Sequence, residues 1–296
     1  KFVPDPIRMA PSERRGEETD MTAIRMIAVT SGKGGVGKTH LAVSLAIEWA
    51  RFGQRVILVD ADLGLANADI LLGIQGGHTM KSVIDGKCSL DSALIEVATD
   101  QWRRATDSDQ GSLLFLPGDI GSSDLAVLEP SHQERLLETL QQLAGQADMI
   151  IFDTSAGLDW NVIRFCQFAG EALVVTNREP LARRDATVML NVLEVVSPSP
   201  HRWLVPNQVI DELEGRRLHE HLEGFCKDRL LWGGCIVQDQ AVPESVESRS
   251  PVVLHEPECN ASRSIRELAR TVLDHSPSGT DDDGALFDRV REILQR

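Results

Sequence analysis

Apolar positions along this chain follow two alternating rhythms. Short runs in which nearly every position is apolar, at 26–30, 56–60, 113–116, 149–153, 172–176 and 203–205, read as strands buried on both faces. Between them, Leu41 to Phe52 and Ser131 to Ala144 repeat apolar residues at helical spacing, and Ser131 with Glu134 forms a capping box that opens the second segment. A seventh strand is expected near Leu230 to Ile236, and a further helix over Ser262 to Leu273. Strand and helix in alternation predict an α/β fold, a mostly parallel central β-sheet flanked by helices. Residues 1–21 are polar, contain proline and lack periodicity, so a disordered tail is expected there, with one packed domain over 22–273. A turn-rich acidic linker follows at 274–284. Beyond it, 285–296 set Leu286, Phe287, Val290, Ile293 and Leu294 on one stripe opposite Arg289, Glu292 and Arg296, a short C-terminal amphipathic helix.

Composition sharpens the picture mainly by exclusion. With 42% hydrophobic and 25% charged residues, the 296-residue chain can bury a sizeable core and is neither disordered nor a coiled coil throughout. Thirty basic against forty-five acidic residues leave a net charge of −15, which opposes attraction to a phosphate backbone, so no direct nucleic-acid partner is expected. No run approaches the roughly 18 apolar residues of a membrane-spanning helix, and the first residues are too charged for a secretory leader. A cytoplasmic protein is therefore expected, with any membrane contact peripheral. Cys88, Cys166, Cys226, Cys235 and Cys259 include no CxxC pair, and His219 with His221 lack metal spacing, which argues against a disulfide framework or a zinc site.

The chemistry concentrates in one segment. Gly32-Lys33-Gly34-Gly35-Val36-Gly37-Lys38-Thr39 is a complete GxxxxGK[ST] between a strand pattern and a helix pattern, the context such a loop requires. Its glycines let successive N–H groups turn toward phosphate oxygens, and the helix that begins around His40 adds its positive N-terminal end. Lys38 would neutralise β- and γ-phosphate charge, while the Thr39 hydroxyl would ligate Mg2+. Two later runs end in acids at the carboxyl ends of strands, where ligands of open α/β sheets bind: Asp60 and Asp62 in the first, Asp153 in the second.

Lys33 is a second lysine that the loop does not need for its own phosphates. The string KGGVGKT resembles the deviant Walker A signature of the MinD/ParA ATPases, and the resemblance spans about residues 24–273. It implies ATP and Mg2+ as ligands and an ATP-bound homodimer in which Lys33 reaches the phosphates of the partner subunit. It further implies catalytic roles for Lys33, Lys38 and Asp62, and metal ligation by Thr39, Asp62 and Asp153. Gly32 to His40 would cradle the nucleotide with Asn207 at the adenine edge, and Asp239 is a further base-side candidate. Within the family, DADLGLANADILLG, the LPGD at Leu116 to Asp119 and DTSAGLDWNVIRFCQFAGEALVVTNREP most resemble the FlhG or FleN type, which regulates flagellar number and placement.

That branch implies flagellar assembly partners, an FlhF-like GTPase, the switch complex or a regulator. It also implies attachment of 285–296 to the inner face of the cell membrane when ATP is bound. A MinD-type division-site ATPase shares the loop motifs and the terminal helix, and a soluble nucleotide-dependent regulator of transcription or assembly is the other alternative. Residues 1–21 contain no DQAxxLR-like string, so stimulation of a partner GTPase is not implied. Leu181-Ala182-Arg183-Arg184 stands where the family has threonine and an acidic helix start. The terminal helix suits either a lipid surface or the protein's own body.

Overall fold

A strand covered on both faces must be apolar at every position, and the central strands here send alternate side chains into two separate layers. In a computed structural model that describes residues 24–62, 67–118, 130–196, 201–227, 229–275, 288 and 290–294, nine strands join one sheet. They are β1 (Arg25–Ser31), β2 (Arg55–Ala61), β3 (Ile95–Glu96), β4 (Ser112–Leu116), β5 (Met149–Ala156), β6 (Glu171–Thr176), β7 (His201–Val209), β8 (Leu231–Trp232) and β9 (Ile236–Val237). Their order is β3-β4-β2-β5-β1-β6-β7-β8, with β9 also on β7, and all pairs are parallel except β3 with β4. The α/β expectation therefore holds, with an antiparallel edge that the apolar pattern did not announce.

Ile27 and Val29 of β1, Met149 and Ile151 of β5, and Leu173 and Val175 of β6 face one layer. Met26 and Ala28, Ile150 and Phe152, and Ala172 and Val174 face the other. The first layer packs on α1 (Lys38–Arg51) and α12 (Asn260–Asp274), whose Leu41, Leu45, Ile265 and Leu268 are buried. Trp49 of α1 donates its indole N–H to Ala269 O of α12 at 2.8 Å, locking these two helices together. The second layer packs on α6 (Pro130–Gln146), α7 (Trp160–Ala169), α8 (Pro180–Val196) and α9 (Glu212–Glu223). There Phe152 meets Phe165 with ring centroids 5.3 Å apart and planes tilted by 34°, a contact worth about 1 kcal/mol beyond its area. Short helices complete the order: α2 (Ala68–Leu72), α3 (Met80–Ile84), α4 (Leu90–Ala93), α5 (Thr99–Trp102), α10 (Ala241–Glu247) and α11 (Val252–His255).

The expected strand at 230–236 is instead two short strands, β8 and β9, interrupted at Gly233 and Gly234. A Cβ at Gly233 would lie 2.5 Å from Leu268 Cδ1, and Gly234 has φ of 116°, so the pair breaks the run while both flanks stay on β7. At the amino ends of the strands, Arg25 forks onto Glu171 through bonds of 2.8 and 2.7 Å and donates to Val272 O at 2.5 Å. Trp203 Nε1 donates to the same carboxylate at 2.6 Å, so this buried acid is fully partnered.

The terminal helix, at 288 and 290–294, lies against the body. Val290 is fully buried and Leu294 is 7% exposed within the layer that holds Leu136, Leu137 and Leu140 of α6. Arg291 and Leu294 border a groove with Gln133, Glu134 and Gln141. Leu286 and Phe287 of the expected stripe and Arg289 and Arg296 opposite it lie outside the described residues, as do the 1–21 tail, the linker after His275, Leu63-Gly64 and Asp119. No described helix is long and apolar enough to cross a membrane.

Candidate functional site

The central strand β1 ends at Ser31, whose hydroxyl donates to Lys33 O at 2.8 Å and starts the turn toward α1. Two glycines here are demanded by space. A Cβ on Gly32 would overlap the Asp185 backbone of α8, and Gly37, at φ of 93°, would bring one within 2.5 Å of Asn207 Nδ2. Gly157 N–H donates to Ser31 O at 2.9 Å, tying the segment after Asp153 to the same loop. Thus the loop is seated on α8, β7 and β5 at once.

Lys38, Thr39, Asp60, Asp62 and Asp153 converge at the carboxyl ends of β1, β2 and β5, as their motifs imply. Asp60 and Asp153 face each other in the β2–β5 register. Burial pushes the Asp153 carboxyl up to about 8, reinforced by Asp60 and Asp62, while the Thr39 hydroxyl and the Lys38 charge pull it down. Burial likewise raises Asp60 to about 6, against the backbone N–H of Asp62 at 3.1 Å and of Ala68 at 3.3 Å. Lys38 is 8% exposed, and burial lowers its ammonium while Asp153 and Asp62 raise it.

Asp153 Oδ1 is buried and has no partner. An orphaned carboxylate oxygen beside a threonine hydroxyl and two more acids is a hard-cation environment. Among the described residues no three His, Cys, Asp or Glu side chains form a closed metal cage. Mg2+ takes few protein ligands and completes its octahedron with water and phosphate oxygens, so a threonine hydroxyl and carboxylates lining an open site suit it. Thr39, Asp153 and Asp62 are thus the residues that would hold it.

Lys33 does not turn toward the loop of its own subunit. Its ammonium pairs with Glu179, at the β6–α8 turn, and holds that carboxyl below the usual range. Glu179 escaped sequence reasoning because 146 positions separate it from Lys33.

On the base side, a cavity of about 760 Å³ opens between the loop and the segment after β9, a size suited to a nucleotide. Gly35, Gly37, His40, Asn207, Val237 and Val242 are among its walls. Asn207 donates to Val36 O at 2.7 Å and accepts from Gln208 N–H at 2.9 Å, so it braces the loop and keeps one amide hydrogen for a ligand. Asp239 also lines the cavity, but its two oxygens accept from Ala241 N–H at 3.0 Å and Asn260 N–H at 2.9 Å. Its work is to hold the wall together. Arg183 borders a separate groove of about 540 Å³ with Arg178, Arg217 and His221, and Arg184 is exposed.

His40 accepts from Val252 N–H through Nε2 at 3.0 Å, and burial lowers its ring to about 4. The ring is neutral near pH 7, with its proton on Nδ1. The unfolded chain takes up a proton below its ordinary 6.5, while the folded chain resists until about 4, so stability from this group is present above 6.5 and lost as pH falls toward 4. Urea unfolding of wild type between pH 7 and 4.5 is expected to lose stability more steeply than His40→Gln. Parallel curves would refute this.

A phosphate loop after the central strand of a mostly parallel sheet, an extra lysine at its start and acids at the ends of β2 and β5 define a P-loop ATPase of the MinD/ParA type. The family model described as an AAA domain matches residues 24–203, and the chain belongs to that family. Its relatives include the antiactivator FleN of Pseudomonas aeruginosa, 31% identical over 93% of this chain and 95% of that protein. The septum site-determining protein MinD of Bacillus subtilis is 30% identical over 84% of this chain and 89% of that one. Among solved structures, the MinC:MinD cell division protein complex of Aquifex aeolicus aligns with a TM-score of 0.67 at 26% identity, over 85% of this chain and 96% of that one. MinD of Pyrococcus horikoshii, complexed with Mg-ADP, shares the fold with a TM-score of 0.64 at 24% identity, over 84% of this chain and 96% of that one.

Proposed function

We propose that this ATPase is an FlhG-like spatial switch that sets the number and placement of flagella. ATP, Mg2+ and a second copy of the chain assemble its active form, and the terminal helix then carries it to the membrane, where partners are recruited. Asp62 orients the attacking water, Lys38 neutralises charge within the subunit, and Lys33 supplies a further cation to the partner subunit's nucleotide. Mg2+, when bound, would neutralise charge on the phosphate oxygens beside Thr39 and Asp153. The flagellar reading is supported by the near full-length similarity to FleN and by the DTSAG-to-EP block.

The observation that carries the membrane step is the terminal helix itself. Its Val290 and Leu294 are sheltered on α6 and joined to the domain by a short acidic tether, so one released helix is a weak anchor and two in a dimer are a stronger one. Flotation on anionic liposomes tests it, comparing the full chain with a version ending at Gly279, each with ATP plus Mg2+ and with ADP. Only the full chain with ATP is expected to float. If neither floats while ATP still dimerises the protein, the soluble regulator is the better reading. Counting flagella and septa in cells that carry Asp62→Ala separates the flagellar role from a MinD-like one. Altered flagellar number with normal septa is expected, and misplaced septa with normal flagella would overturn the assignment.

A further inference from the structure

The cavity has two walls of different origin. The phosphate wall is the loop and the first turn of α1, built on β1. The base wall is the segment 239–257, which carries α10 and α11 and contributes Val242, Pro243, Val246 and Glu247 to the lining. Asp239 fastens the start of this segment to Asn260, and Ser262 Oγ donates to Val252 O at 3.0 Å and Glu256 O at 2.8 Å, fastening its end to α12. Both of those ties run to α12, which Trp49 holds to the later turns of α1 rather than to the phosphate loop. From the phosphate side, one side chain of the loop and first turn bonds across, and it is His40.

Val252 is the first residue of α11, so its N–H has no acceptor inside the helix. The residue is fully buried, which denies that N–H a water. His40 Nε2 is its partner at 3.0 Å, and such an acceptor needs a neutral ring protonated at Nδ1. Nδ1 itself is buried and has no partner, so the ring's other nitrogen contributes no second tie.

We propose that His40 is a positioning residue that couples the base wall to the phosphate loop, so that grip on the adenine depends on its bond to Val252. The inference rests on the nucleotide site and is independent of the flagellar reading. Base-dependent affinity should then suffer when the bond is lost, while affinity for phosphates alone should not.

The test is calorimetric titration of the full chain, as wild type, His40→Ala, His40→Asn and His40→Gln, with Mg-ADP and with Mg-pyrophosphate. Gln carries its amide oxygen at the same bond distance from Cβ as histidine carries Nε2, whereas Asn carries it at the distance of Nδ1. His40→Ala and His40→Asn are expected to bind ADP about tenfold more weakly, the usual scale for stranding one buried hydrogen-bonding group, with pyrophosphate changed by no more than about twofold. His40→Gln is expected to restore ADP binding, and its urea unfolding serves as the check that the histidine site still folds. Equal losses for ADP and pyrophosphate would overturn the proposal, because His40 would then act on the phosphate loop alone. Rescue by Asn in place of Gln would overturn it in favour of a direct Nδ1 contact, and unchanged ADP affinity in His40→Ala would overturn it outright. Wild-type protein that binds neither ligand would remove the nucleotide site, and the coupling with it.

Discussion

Lys38→Ala is expected to abolish ATP turnover and to weaken nucleotide binding by at least about a hundredfold while leaving the protein folded. Lys38 is 8% exposed and lies within the field of Asp153 and Asp62, so the cation it removes is a poorly screened one. A triphosphate entering the variant would meet the acidic cluster of Asp60, Asp62 and Asp153 without that counter-charge. Folding survives for a specific reason. The Asp153 carboxyl is pushed up to about 8 with Lys38 present, and its loss pushes the carboxyl higher, so near pH 7 the group stays protonated and no bare charge is stranded. The measurements are steady-state phosphate release, calorimetry with Mg-ADP, and thermal unfolding without ligand. Turnover within about tenfold of wild type would sink the assignment of Lys38.

Lys33→Ala is expected to separate two properties that Lys38→Ala loses together. Lys33 is paired with Glu179 at the surface of its own subunit and does not brace its own loop, so ADP binding by the monomer should change by less than about threefold. ATP-dependent dimerisation and turnover should both fall, turnover by about a thousandfold, the lower end of what a cation supplied in trans contributes to phosphoryl transfer. Light scattering behind size exclusion, with ATP on the catalytically blocked Asp62→Ala background, reads the dimer directly. A variant that still dimerises and turns over normally would reduce Lys33 to a surface charge. Glu179→Gln is the complement, since it removes the acceptor that holds Lys33 inside one subunit.

Much of this architecture was legible in the sequence because a parallel sheet leaves little choice. Strands covered on both faces must be unbroken apolar runs, and the runs at 26–30, 56–60 and 149–153 became β1, β2 and β5. The phosphate loop was legible too, since glycine spacing and a following lysine are dictated by local geometry. What stayed hidden is what depends on distance along the chain. The pairing of Lys33 with Glu179 and of His40 with Val252 joins residues 146 and 212 positions apart, and no local periodicity encodes either. Asp239 was visible as a polar residue at the right place, yet its engagement with Ala241 and Asn260 appears only once the chain is folded. The break at Gly233 is hidden in the sequence because apolar residues flank the two glycines on both sides, and the clash with Leu268 that requires glycine comes from a helix further on. An apolar stripe at 285–296 announced that something must cover it, but not that α6 would.

The clasp at the floor of the sheet has a mechanical meaning. Arg25 begins β1 and holds the carbonyl of Val272, 247 positions later, just before the tether to the terminal helix leaves the domain. If the helix anchors as proposed, a pull arriving through that tether would be borne first by this buckle and by Glu171 and Trp203 behind it. These bonds lie at the amino ends of the strands, whereas the phosphate loop and its acids lie at the carboxyl ends. Under the membrane attachment proposed above, tension would thus be grounded at one rim of the sheet, away from the opposite rim that carries the phosphate loop.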